Sequence, residues 1–275
     1  MLRALSKDEK EELQKRGYMI EHLLCLYSMV ADQTFLYDDD FPVFLSMFGE
    51  ADVVLFGFGK EKGSEFECIK ELVKLPIGTL NMISPVVFRG LPGVRKKYVD
   101  WDFHIHVDEF DFDLEGSKYK DIRYRLGQVE EMGYRTRLSR EITPRHTYIL
   151  SRHMARYKFD VWDFEELLSL ERFFREHDHG FMMEAYKDGR LLGFDVVDFF
   201  EDNRIMVAPL GIYLDVPLIS YFLMYENLKF ARDRGYEWLD IGPSCGVAGL
   251  RKFKEKWLAE PRYKIYVQTL NINQR

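Results

Sequence analysis

With 275 residues, 47% of them hydrophobic and 15% aromatic, the chain can build one large core or two of ordinary size, which excludes wholesale disorder. Its 46 acids outnumber its 39 bases for a net charge of -7, which argues against coating of the whole surface by nucleic acid. No apolar run reaches the roughly 18 residues of a membrane helix. The opening MLRALSKDEKEEL turns charged too early for a signal-peptide core, so a cytoplasmic protein is expected.

In chain order, Ser6-x-x-Glu9 is a capping box for a helix over 7–16 that Gly17 stops, and 18–31 is a second helical stretch carrying Leu23, Leu24 and Leu26. ADVVLFGF (51–58) reads as a buried strand, FECIKELVKL (66–75) as a helix and LNMISPVVF (80–88) as a strand, an α/β pattern. GFGKEKG (57–63) misses the dinucleotide-binding glycine spacing by one residue. YVDWDFHIHV (98–107) alternates, with Trp101, Phe103, Ile105 and Val107 on one face. Asp102, His104, His106 and Asp108 fall on the other, where a solvated polar face fits the spacing as well as a metal site.

YKDIRYRLGQVEEMGY (119–134) and WDFEELLSLERFFREHD (162–178) read as helices, with His177 and His179 in the loop beyond. FMMEAY (181–186), LLGFDVVDFF (191–200) and RIMVAPLGIYL (204–214) read as strands joined by turns at KDGR and EDN. A helix over 217–234 opens with Pro217, closes at Gly235 and turns Ile219, Phe222, Leu223 and Phe230 to a core. EWLDIG (237–242), AGLRKFKEKW (248–257) and YKIYVQTL (263–270) complete the chain as strand, helix and strand.

Charge is unevenly spread. Residues 100–115 hold seven acids and no Lys or Arg, whereas 116–158 carries a net charge of +7 and 251–275 one of +5. The two basic segments either converge on an anionic ligand or neutralise the acidic stretch. Cys25, Cys68 and Cys245 form no CxxC pair, which fits reduced thiols. Only five Asn and five Gln beside abundant Glu, Lys and Arg is a composition associated with heat-adapted proteins, so a thermophilic source is expected.

Residues 181–270 thus run β-β-β-α-β-α-β after a helix, an order that resembles the core of the GNAT (N-acetyltransferase) superfamily. The ending GYEWLDIGPSCGVAGLRKFKEKW places Gly235, Asp240, Gly242, Gly249, Leu250, Phe253 and Lys254 in a G-x-x-x-x-D-h-G … G-L-x-x-F-K pattern. That pattern resembles Fem-type peptidoglycan-bridge aminoacyltransferases and related phosphatidylglycerol lysyltransferase C-terminal-like proteins. The basic stretch YKDIRYRLGQVEEMGYRTR resembles the helix that precedes their second domain. The resemblance implies an α/β (α+β) fold of two tandem GNAT-like domains, each a mixed, mostly antiparallel twisted sheet flanked by helices. Residues 1–140 would form a degenerate first domain and 141–275 the second.

The implied activity is transfer of an acyl group from acyl-CoA or aminoacyl-tRNA, as donor substrate, to the amine of a small molecule or peptide. One departure bears on the donor. Acetyl-CoA enzymes carry a glycine loop before the helix that here spans 217–234, but this junction reads DVPLIS and Pro217 supplies no N–H. Fem-type proteins, whose donor is an aminoacyl-tRNA, tend to lack that loop too.

Candidate residues follow from this chemistry. In GPSCGVAGL, Gly242, Gly246 and Gly249 relieve crowding, and the turn either offers amides to an anion or only joins strand to helix. Gly246 and Cys245 are therefore ligand-binding candidates, although no partner His marks Cys245 as a nucleophile. Lys254 and Arg251 head the second basic cluster. The resemblance singles out Lys254 to hold a phosphate or an oxyanion, against the alternative of a solvated helix face. Arg123 and Arg125 join them from the first basic segment. For the proton of an attacking amine, Asp240 and Asp198 are the candidate bases, with Asp195 on the opposite strand face from Asp198. Tyr213 is the candidate acid for the leaving group. Acids within GFDVVDFF are costly to bury without a partner. The competing class is a non-catalytic GNAT-fold protein that binds RNA or another anion.

Overall fold

The computed structural model describes residues 3–4, 33–36, 44–48, 52–56, 69–70, 74, 78–84, 87, 93–157, 170–171, 174, 180–201, 204–244 and 246–271. The helices expected at 7–16 and 18–31, most of those at 66–75 and 162–178, and the loop at 57–63 lie outside these residues, as do Cys25, Cys68, Cys245, His177 and His179. The chain divides into two units. The first comprises Met1–Phe103, Pro243–Arg251 and Pro261–Arg275, and the second His104–Gly242 and Lys252–Glu260.

The first unit holds strands β1 (Arg3–Ala4), β2 (Gln33–Leu36), β3 (Phe44–Phe48), β4 (Asp52–Phe56) and β5 (Thr79–Ser84), with most of β6 (Val94–His106) and β12 (Glu260–Asn271). They lie in the order β1-β2-β3-β4-β5-β12-β6. β4 and β5 run parallel, while β1–β2, β2–β3, β3–β4 and β5–β12 are antiparallel. Leu80, Met82, Ile265 and Leu270 are buried, as alternation on β5 and β12 requires. The Asn81 carboxamide accepts the Thr269 hydroxyl at 3.0 Å across that pair.

The second unit orders its strands as the end of β6, then β11 (Trp238–Pro243), β10 (Ile205–Tyr213), β9 (Arg190–Phe200), β8 (Phe181–Lys187) and β7 (Arg135–Ser139). β7–β8, β8–β9 and β9–β10 are antiparallel, and β10–β11 is parallel. Four helices belong to the described residues: α1 (Lys120–Met132), α2 (Pro144–Tyr157), α3 (Ile219–Asp233) and α4 (Ala248–Lys256). From β8 to β12 the element order is the expected β-β-β-α-β-α-β.

Helix α1 buries Ile122, Leu126 and Val129 at i, i+4 and i+7, and Gly133 ends it in the left-handed region at φ 68°. Helix α3 buries Ile219, Phe222 and Leu223 as expected, and Phe230 packs on Phe181 with ring centroids 5.0 Å apart. Strand pairing puts Asp195, Val197 and Phe199 on the β9 face that meets α3. Phe194 and Val196 point the other way, where the His146 ring of α2 meets Phe194.

Sequence reading missed two elements of this unit. β7 is a short edge strand with four of its five residues exposed, so it carries no apolar signal. Helix α2 starts at Thr143-Pro144 with a capping box in which His146 takes the usual Glu position. The Thr143 N–H donates to His146 Nδ1 at 3.1 Å. The expected solvated face of β6 is also overturned: Asp102 and His104 are fully buried, as are Phe103 and Ile105. His106 and Asp108 diverge from them to surface partners, His106 to Glu109 and Glu237 and Asp108 to Arg204.

Beneath α2 lies a saturated polar knot. Glu184 on β8, fully buried, accepts from His146 Nε2 at 2.9 Å, Arg137 Nε at 3.0 Å and the Tyr186 hydroxyl at 2.8 Å. Burial alone would raise its pKa, but the bonds from His146 and Tyr186, with the charges of His146 and Arg137, outweigh that and lower it. A depressed carboxylate contributes stability above its unfolded pKa and loses it as pH falls through the folded value. Glu184→Gln should therefore cost about 1–3 kcal/mol near pH 7. In urea melts the difference from wild type should shrink on acidification below the ordinary Glu range.

Candidate active site

The parallel pairing of β10 with β11 is brief. It joins Ile205 to Trp238, Met206 to Leu239 and Val207 to Asp240, and goes no further, although the strands continue to Tyr213 and Pro243. The β9–β10 register shifts between Val207 and Leu210, where the buried Pro209 has no N–H to offer a ladder. A bulge with a proline thus ends the parallel ladder, and the strand ends beyond it have backbone groups to satisfy.

Side chains fill that need on both sides. On β10, His153 from α2 sets Nδ1 3.2 Å from the Tyr213 nitrogen and 3.1 Å from its carbonyl oxygen. Burial lowers the His153 pKa, with the Arg156 charge adding to it and the Tyr213 backbone bond opposing it. On β11, the Lys254 ammonium donates to the carbonyls of Ile241 and, at 2.5 Å, of Gly242. Lys254 is only 4% exposed, so its side chain is not on a solvated helix face.

Asp240 sits at the point of divergence. It is fully buried, its Oδ1 accepts the Gly242 N–H at 2.8 Å, and its Oδ2 lies 3.6 Å from His104 Nε2. The edge of Trp238 closes on His104 and on His106, with centroids 6.3 and 4.3 Å away. Asp198 is buried on β9 opposite Val207, which also pairs with Asp240, so the two acids share one row of the sheet with β10 between them. Tyr213 lies at the other end of β10. Asp240 and Asp198 thus share a row where the divergence begins, Lys254 binds the β11 backbone just beyond it, and Tyr213 stands with His153 at the far end of β10.

The remaining candidates stand elsewhere. The Arg123 guanidinium is bonded to the carbonyls of Leu114 and, at 3.4 Å, Gly116, so it braces a loop. Arg125 lies over the Tyr124 ring and reaches Gln128 at 3.5 Å. Arg251 is exposed on α4. The Gly246 N–H donates to Asp100 Oδ2 at 3.2 Å, and Gly246 has a positive φ of 74°, which suits the turn reading of this glycine. At the start of α3, Leu218 takes a left-handed φ of 58° and no side chain caps the helix.

Asp195, one of the two acids in GFDVVDFF expected to need a partner if buried, has one. Its carboxyl is buried on the α3 face, and Oδ2 accepts the Asn227 amide at 2.6 Å. Burial raises its pKa to about 7, with the Asn227 bond pulling the other way. A carboxyl whose folded pKa is raised gives its full contribution to stability below its unfolded pKa and loses it as pH climbs to the folded value. Wild-type stability should thus fall from near pH 4 to near pH 7 through this group, and Asp195→Asn should flatten that slope in a pH series of urea melts. Lys254→Met leaves two buried carbonyls without their donor and should cost about 2 kcal/mol or more at any pH in that series.

No family model matches the sequence, and no curated protein matches it. Solved structures do share its fold at low identity. L-PGS from Bacillus licheniformis is 14% identical, with 97% of this chain and 92% of that chain covered and a TM-score of 0.63. A tandem GNAT protein from the clavulanic acid biosynthesis pathway is 10% identical, covered at 99% and 98%, with a TM-score of 0.63. FemX is 11% identical, covered at 97% and 96%, with a TM-score of 0.60. The mixed, mainly antiparallel α/β architecture of this chain is thus a GNAT fold, the one found in the tandem GNAT protein and FemX.

Proposed function

We propose that the protein transfers an acyl or aminoacyl group to the amine of a small molecule or peptide. The observation that carries this reading is the divergence of β10 from β11 with a buried ammonium, Lys254, on one lip and Asp240 at its apex. The acceptor amine attacks the carbonyl carbon of a bound ester or thioester. Lys254 and backbone amides stabilise the oxyanion, Asp240 or Asp198 takes the amine proton, and Tyr213 protonates the leaving group. Two tandem GNAT-like domains, at 1–140 and 141–275, belong to the same proposal, supported by the end-to-end likeness to a tandem GNAT structure.

Acyl-CoA and aminoacyl-tRNA are the two donor classes. The junction DVPLIS, with no glycine and with Pro217 lacking an N–H, supports the aminoacyl ester, because a pyrophosphate cradle needs several aligned N–H groups and close backbone approach. Arg251, Arg123, Arg125, Gly246 and Cys245 remain the proposed contacts to an anionic donor. No described helix is long and apolar enough to cross a membrane, and a cytoplasmic site of action is part of the proposal.

Mass spectrometry of co-purified ligand, followed by turnover assays with acetyl-CoA and with charged tRNA, tests the reading. Lys254→Met should lower kcat about a hundredfold, while Lys256→Met, on an exposed side chain paired with Asp121, should leave it unchanged. A second reading, anion binding without catalysis, draws on exposed Tyr124 and Tyr148 among basic residues of α1 and α2. Salt-sensitive RNA binding with no turnover of either donor favours it. The amide-poor composition supports heat adaptation, for which the expected result is a Tm well above the roughly 45–65 °C of mesophile domains.

A further inference from the structure

Two glycines on the α3 face of the sheet have no room for a side chain. A Cβ on Gly193 would stand 2.7 Å from the Tyr213 Cβ, and one on Gly211 would stand 2.6 Å from the Tyr213 hydroxyl and 2.7 Å from Asp195 Oδ1. The Tyr213 ring therefore folds back along its own strand over Gly211, and its hydroxyl and the Asp195 carboxyl converge on one point. Glycine in a strand interior weakens it, and its presence often marks a close approach of this kind.

The surroundings of Asp195 are otherwise apolar or neutral. From β8 it faces Met183, from β10 Gly211 and the Tyr213 hydroxyl, and from α3 Asn227. The charged α3 residues nearest in sequence, Glu226 and Lys229, pair with each other. Among the described residues no cation is bonded to the carboxyl. Asn227 is fully buried too, and its Oδ1 accepts no hydrogen bond among the described residues. An ionised Asp195 can only accept from the amide nitrogen, whereas a protonated one can donate to the amide oxygen once the amide turns over.

We propose that Asp195 is a proton donor seated behind Tyr213, with Asn227 as its positioning residue. This rests on the acyl-transfer reading for its role in turnover, but not for its chemistry. As the amine nitrogen bonds to the donor carbonyl carbon and the bond from that carbon to sulfur or oxygen breaks, the departing atom takes the Tyr213 proton. The Asp195 proton moves to the phenolic oxygen, the amine proton goes to the carboxylate base at the β10–β11 divergence, and Asp195 is reprotonated from solvent. A buried carboxylic acid held neutral by an apolar site is suited to this task.

The test is infrared difference spectroscopy of the full chain against pH, following the C=O stretch of protonated carboxyls. One band should disappear with a midpoint about 7 and be absent from Asp195→Asn. In Asn227→Leu the midpoint should move up, since the Asn227 bond favours the charged form, and in Tyr213→Phe it should move by about half a unit or more, since the hydroxyl beside the carboxyl is gone. A band that does not titrate near neutrality, or whose midpoint ignores Tyr213→Phe, overturns the proposal; the Tyr213→Phe arm decides the matter even where Asp195→Asn does not fold. Thiol release from acetyl-CoA with a panel of primary amines reports separately on acyl transfer. Where release is seen, Asp195→Asn should lower kcat about a hundredfold at constant KM. Release with an unmoved band sinks the proton donor and keeps the transferase. A coupled, titrating band without release keeps the donor–phenol pair and sinks transfer from an acyl-CoA.

Discussion

The end of the β10–β11 ladder is the constraint that organises the second unit. Parallel strands that stop pairing inside a protein leave N–H and C=O groups that neither water nor a neighbouring strand satisfies, at about 1–3 kcal/mol each. Here the break is built in by a register shift and Pro209. The repair comes from two side chains, His153 against one strand and Lys254 against the other. A buried ammonium is expensive, and backbone carbonyl dipoles offset part of that cost. The result is a lysine side chain held inside the protein against the backbone of β11.

The same sheet carries two buried carboxyls whose acidities move in opposite directions, and the difference lies in their donors. Glu184 has three, two of them able to carry charge, and its pKa is lowered. Asp195 has one neutral amide, and desolvation wins. Each lies on its own face of the sheet, Glu184 beneath α2 and Asp195 beneath α3. The Glu184 knot is closed and shares its face with Asp198 and Asp240, whereas the opposite face holds the pair that exchanges a proton.

Much of this fold could be read from residues alone. Strands β8 to β11 and helix α3 announce themselves as apolar runs cut by Gly189, Gly235 and Gly242, and their observed bounds differ from the expected ones by a residue or two. Helix α2 was hidden because RHTYILSRHMARY reads as part of a basic segment, yet Thr143, Pro144 and the buried spacing of His146, Ile149 and Leu150 were there to be used. Alternation in β6 was misleading for a different reason: a strand covered on both faces has no polar side, so Asp102 and His104 are buried with their apolar neighbours. The burial of Lys254 depends on carbonyls twelve and thirteen residues away and has no local signature.

Gly193 and Gly211 tie these themes together. Each forgoes the packing a β-branched residue would supply, at a cost of about 0.5–1 kcal/mol relative to alanine. What they permit is a tyrosine ring laid flat on the sheet. That ring does two things at once. It closes over Gly193 and Gly211 on the face where the Asp195 carboxyl is buried, and it brings its hydroxyl back to Gly211 beside that carboxyl. Filling either glycine would displace the ring and its hydroxyl together. A purely structural tyrosine needs neither glycine, because it would pack as well standing upright between larger neighbours; the folded-over ring makes sense as a device for holding a hydroxyl against a buried acid.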